Sequence, residues 1–87
     1  MSPVLLVSEY SLLSTDDLCY DKGMISIGNM NECKDAMIRL GISGELSEQS
    51  TSEFPKGCYQ HTNEKVYFNS HSTGSREENS EPICQKG

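Results

Sequence analysis

The chain has no tryptophan, and only 34% of its 87 residues are hydrophobic. A small polar chain buries little surface on folding, so its core alone leaves it marginally stable. Its longest apolar run, VLLV at positions 4–7, is too short for a signal-peptide core and lacks a basic flank. No stretch approaches the length of a membrane span. No membrane insertion is expected, and a targeting segment is expected to lie outside this chain.

Positive charge is also scarce. Seven basic residues face thirteen acidic ones, for a net charge of −6. Lys22, Lys34, Arg39, Lys56, Lys65, Arg76 and Lys86 are scattered along the chain. Phosphate-backbone binding needs concentrated cations, so nucleic acid and anionic membrane surfaces are poor partners. No N-x-S/T sequon occurs, so no N-linked glycan is expected.

Four cysteines are present: Cys19, Cys33, Cys58 and Cys84. They form no C-x-x-C pair, so close zinc ligands and a thioredoxin-like redox motif are both missing. An even number of well-separated cysteines in a short polar chain reads as two disulfides, against the alternative of four buried thiols. Of the three connectivities, locality favours Cys19–Cys33 with Cys58–Cys84, since each pair brackets one local unit. Disulfides imply an oxidising compartment, extracellular or lumenal.

Along the chain, Val4, Leu5, Leu6 and Val7 read as a strand that either joins a sheet or docks on a partner. Ile25, Ser26 and Ile27 read as a second short strand. GNMNECKDAMIRLG then carries a helix signal. Asn29 is the N-cap with Glu32 three residues on, and Asn31 is a competing cap. Cys33, Ala36, Met37 and Leu40 share one face. Arg39 suits the last turn and Gly41 a left-handed C-cap. A bridge from Cys33 would fasten this helix to a strand. SGELSEQSTSE, residues 43–53, reads as an acidic connecting loop without the spacing of a calcium loop.

In FPKGCYQHTNEKVYFNSHSTG, residues 58–61 and 65–69 read as a hairpin around Thr62, Asn63 and Glu64. In that register His61 opposes Lys65 and Tyr59 opposes Tyr67. Cys58, Val66 and Phe68 then share one face, and Tyr59, His61 and Tyr67 the other. Residues 69–81 read as a second long polar loop, and residues 83–85 as a last short strand tied back by Cys84. The expected fold is α+β: a small disulfide-stapled domain with one short helix packed on a small antiparallel sheet with long loops. Residues 1–87 read as a single domain, with 1–9 an N-terminal arm or strand and 10–86 the cysteine-rich module.

The pattern PKGCY…VYFNSHSTG…PIC, preceded by ECKDAMIRLG, resembles a small four-cysteine module. That module recurs in proteins predicted from marine microalgae, among them dinoflagellates, haptophytes and stramenopiles. The resemblance covers roughly residues 10 to 86 and rests on spaced Cys, Gly and aromatic positions. It implies a disulfide-bearing accessory or extracellular domain with no assigned enzymatic activity. For a photosynthetic source, it adds the thylakoid lumen as a second oxidising compartment, and an accessory subunit on a membrane complex as a role.

His61 and His71 are the only side chains with unperturbed titration near neutral pH. One sits at a hairpin tip and the other in a serine-rich loop, and a nucleophile–base pair needs rigid convergence. No catalytic residue, metal site or cofactor is expected. Tyr59, His61, Tyr67 and Asn69, with Asn63 nearby, form a candidate binding face, either for a protein or as an aromatic platform for a glycan. A cross-strand tyrosine pair also stabilises a sheet with no ligand at all. The favoured expectation is a non-catalytic structural or protein-interaction module that works with a protein partner or a larger complex. Carbohydrate binding on the Tyr59/Tyr67 face is the alternative.

Overall fold

The computed structural model describes residues 10–86. The chain runs β1 (Tyr10–Leu12), a single 3-10 turn (Tyr20–Lys22), β2 (Met24–Ser26), α1 (Met30–Leu40), β3 (Leu46–Gln49), β4 (Gly57–His61), β5 (Val66–Asn69) and β6 (Ser80–Lys86). One helix and a mostly antiparallel six-stranded sheet with two disulfides make this a small α+β stapled domain. The VLLV segment at Val4, Leu5, Leu6 and Val7 lies outside the described residues.

The helix forms where its end signals stand. The Asn29 side chain accepts from the Glu32 backbone N–H at 2.8 Å, and Gly41 adopts a left-handed φ of 73°. These contacts satisfy orphan groups at both helix ends. Cys33, Ala36 and Met37 are buried on one face, where they meet Ile27, Cys58, Val66, Phe68 and Ile83.

Strand order is β1-β6-β4-β5-β3, with β2 also on β6. β6 is therefore the hub. β1 takes one edge, while β2 and β4 lie end to end along the other. Gly57 marks that junction: its φ is +86°, and a Cβ there would come within 2.9 Å of the Ile27 carbonyl oxygen. No other residue type fits both constraints.

The hairpin has the expected register, with Tyr59 opposite Tyr67 and Cys58 opposite Phe68. The His61 N–H donates to the Lys65 carbonyl at 2.8 Å, closing a three-residue loop. Glu64 sits at φ +72°, the left-handed last position such loops require.

Four expectations are corrected. The second strand occupies residues 24–26 rather than 25–27. The segment read wholly as an acidic loop contains β3, which pairs parallel to β5 (Leu46 opposite Val66, Gln49 opposite Asn69). The last strand is seven residues long rather than three.

The fourth correction is the disulfide pairing, which is Cys19–Cys84 and Cys33–Cys58. Side chains alternate along a strand and match across a register pair. Cys58 is opposite Ile83, so both face α1, and Cys84 one residue on faces away. A Cys58–Cys84 bridge would have to pass through the sheet. Cys33 reaches Cys58 from the helix, as its place on the apolar stripe suggested. Cys19 joins Cys84 on the far face. One bridge thus pins the helix to one face, and the other pins the 3-10 turn to the opposite face.

Candidate functional site

The face of the sheet away from α1 carries the residues expected to form a binding face. Tyr59, His61, Tyr67 and Asn69 all belong to it by strand parity. Exposure divides them. His61 and Tyr67 are half-buried, whereas Tyr59 and Asn69 are each only 1% exposed. The open platform pictured from the sequence does not exist at Tyr59 and Asn69.

The cover is the connection from β3 to β4, which wraps past the end of β5. Phe54 stacks on Tyr59, with ring centroids 5.8 Å apart and planes 4° from parallel. Tyr67 stacks on Tyr59 at 5.4 Å. The His61 ring meets the edge of Phe54 at 6.4 Å. Tyr59 is therefore the middle ring of a three-ring stack, and its hydroxyl donates to the Gln49 side chain. Burial raises its pKa well above the ordinary phenol range. The neighbouring Tyr67 adds to this, the Gln49 bond opposes it, and Glu77 raises it slightly.

Asn69 holds the covering segment. Its Nδ2 donates to the carbonyls of Thr51 at 2.8 Å, Pro55 at 3.0 Å and Phe54 at 3.1 Å. Its Oδ1 accepts from the N–H groups of Thr51 at 3.0 Å and His71 at 3.3 Å. The amide's hydrogen-bonding capacity is spent on the fold, leaving nothing for a ligand. Sequence reasoning missed this role, because four of the five bonds go to main-chain groups 14 to 18 residues away.

The histidines are not brought into a catalytic arrangement. His61 Nδ1 accepts from the Asn63 N–H at 3.3 Å, within the hairpin loop. His71 Nδ1 accepts from the Thr73 N–H at 3.1 Å, within its own turn. All four cysteines are bridged and buried. Among the described residues, no group of three or more His, Cys, Asp or Glu side chains is placed to hold a metal ion. No helix among them is long and apolar enough to cross a membrane.

Among the described residues, four large hydrophobic side chains are left in water. Tyr20 is 88% exposed, Ile38 69%, Ile25 52% and Leu12 40%. These lie on the 3-10 turn, α1, β2 and β1, away from the hairpin that attracted attention in the sequence. The signal that could have found Ile38 was its place off the α1 stripe. Ile25 was legible only once β2 was known to be paired on one edge alone.

No family model, curated protein or solved structure matches this chain. The two disulfides are consistent with an oxidising compartment.

Proposed function

We propose that this protein is a non-catalytic structural or protein-interaction module of an oxidising compartment, extracellular or thylakoid-lumenal, that docks as an accessory subunit on a larger complex. The observation that carries this reading is the exposure of Leu12, Tyr20, Ile25 and Ile38. A chain with so few hydrophobic residues gains by burying them, and each of these four side chains is apolar area for a partner to cover. The disulfides fix the 3-10 turn and α1, which carry Tyr20 and Ile38, and this lowers the ordering cost of docking. The lumenal location and the photosynthetic complex come from the resemblance to microalgal modules alone.

The test uses the protein in its native extract, kept non-reducing and resolved by native size separation. Wild type is expected to migrate with a large assembly. The variant Tyr20→Ser/Ile25→Ser/Ile38→Ser is expected to lose that migration with both disulfides formed and folding retained. A wild-type protein that migrates free of any larger assembly sinks the proposal.

The alternative is carbohydrate binding. It retains support from one observation, the half-exposed Tyr67 ring stacked on a fixed Tyr59. With Tyr59 and Asn69 buried, contact passes to Tyr67, His61 and Phe54. Glycan retention abolished by Tyr67→Ala in a folded protein would favour it; unchanged retention would dismiss it.

A further inference from the structure

We propose that the outer edge of β3 receives an extended basic segment of a partner protein, which joins the sheet as a further strand. The inference rests on the interaction-module reading and specifies the partner's chemistry and its mode of docking.

β3 stands at the end of the strand order and pairs with β5 on one side. Two bonds fix which of its main-chain groups that pairing uses. The Glu45 carbonyl accepts the Val66 N–H at 2.9 Å, and the Gln49 carbonyl accepts the Ser70 N–H at 2.9 Å. Main-chain groups alternate sides along a strand, so Glu45, Ser47 and Gln49 face β5 while Leu46 and Glu48 face outward. Among the described residues, the outward N–H and carbonyl groups of Leu46 and Glu48 have no hydrogen-bond partner. Such a row is a template for another strand.

Sheet edges are commonly guarded by proline, lysine or a bulge. β3 has none of these: its sequence is LSEQ and its register with β5 is unbroken. Its guard is acidic. Glu48 is exposed, forms no ion pair among the described residues, and has Phe68 rather than a cation opposite it in β5. Lys65 precedes Val66 and so lies at the Glu45 end of the strand. A second copy of this chain, of net charge −6, would bring a second acidic strand to the edge. Like charges across a strand pair repel, so the edge selects a basic occupant.

The side chains of β3 set the pattern of that occupant. Leu46 is half-buried, packs against the core and lies opposite Val66, and Glu48 shares its face two residues on. Ser47 lies on the other face, opposite Tyr67. A matching strand places an apolar residue beside Leu46, where it extends the core, and Lys or Arg beside Glu48. Between them it places a small hydroxyl residue beside Ser47.

The experiment titrates the isotopically labelled full chain with the end-blocked pentapeptide Lys-Thr-Val-Thr-Lys, whose pattern reads the same in both directions. One comparison probe is Glu-Thr-Val-Thr-Glu. The other is the basic peptide N-methylated at Val and at the Thr after it, which removes a ladder donor in either strand direction. With the unmethylated basic peptide alone, amide hydrogen exchange is expected to slow at Leu46 and Glu48. Ser47 and Gln49, whose N–H groups already bond to β5, should change little. Glu48→Gln should weaken binding about threefold, while Glu78→Gln, the same change of charge ahead of β6, should leave it within about 1.5-fold. Equal weakening by both variants, equal binding of the methylated peptide, or slowing away from β3 each overturns the proposal. Slowing at Leu46 and Glu48 that grows with protein concentration in the absence of peptide would give the edge to a second copy, and overturns it too. If the native protein migrates with a large assembly while the edge ignores the peptide, this inference fails and the interaction reading stands. A protein that binds the peptide on β3 but is free in its native extract fails the interaction reading and keeps the chemistry of the edge.

Discussion

Asn69 and Thr51 bond to each other twice. The Asn69 Oδ1 accepts the Thr51 N–H at 3.0 Å, and the Asn69 Nδ2 donates to the Thr51 carbonyl at 2.8 Å. The side chain thereby presents the same donor and acceptor pair as the backbone of a neighbouring strand. It extends the pairing of β5 to a segment that has left the sheet. That is how residues 50–56 come to cover Tyr59.

Removing this amide should therefore act on the cover more than on the sheet. Asn69→Ala leaves the main-chain groups of Thr51, Phe54 and Pro55 without their partner in a buried site. The expected loss is about 3 kcal/mol, by denaturant unfolding. Asn69→Asp should cost more near neutral pH, because a carboxylate would face three carbonyl oxygens. Hydrogen exchange should accelerate first at Thr51. Protection there unchanged in Asn69→Ala would show that the segment is held by Phe54 stacking instead.

The bridges are testable directly, since cleavage after Lys and Arg places each cysteine on its own peptide. A non-reduced digest should link residues 1–22 to 77–86 and residues 23–34 to 57–65. On the chain-entropy account, closing loops of 25 and 65 residues contributes about 3.5 and about 4.3 kcal/mol. Cys33→Ala/Cys58→Ala should then lower stability by about 3 to 4 kcal/mol. Because all four sulfurs are buried, reduction of the native protein should be slow and should follow the unfolding rate. Rapid loss of one bridge under native conditions would contradict that burial.

What the sequence discloses here depends on how local the cause is. The helix was legible because Asn29, Glu32 and Gly41 lie within or beside it and act over three or four residues. The hairpin register followed from the three-residue loop alone. β3 was not legible, since its pairing with β5 is parallel and crosses an intervening strand, and LSEQ has no alternation to advertise it. Pro82 concealed the length of β6, yet it sits in register opposite Tyr59, and its carbonyl accepts the Leu13 N–H at 2.8 Å. The disulfide pairing was misjudged because sequence proximity carries no information about which side of a sheet a cysteine faces. At the candidate site, side-chain parity was readable and burial was not. A polar, serine-rich segment gave no sign that it would lie over Tyr59.

The hairpin loop stores a small local cost. Glu64 holds φ at +72°, a conformation that costs a side-chain-bearing residue about 1 to 2 kcal/mol. Glycine removes the strain but makes the unfolded chain more flexible, which offsets part of the gain. Glu64→Gly should stabilise the protein by about 0.5 to 1 kcal/mol, read as a rise in Tm with the Tyr59–Tyr67 register retained. A fall in Tm would mean that the Glu64 side chain contributes more than its backbone strain removes.

Tyr59 gives the fold a defined alkaline weakness. Burial raises its folded-state pKa, with Tyr67 and Glu77 acting in the same direction. The unfolded chain releases that proton near the ordinary phenol pKa of about 10, while the folded chain retains it. Between those two values the native state binds more protons than the unfolded state, so stability falls as pH rises. The Tyr59 contribution is fully present below about pH 10 and is lost above it at up to about 1.4 kcal/mol per pH unit. Rapid denaturant unfolding, completed before alkali attacks the disulfides, should show this slope in wild type. Tyr59→Phe should flatten it at the cost of the hydroxyl bond to Gln49. The same slope in both proteins would place the alkaline sensitivity elsewhere and leave the middle ring of the stack as packing alone.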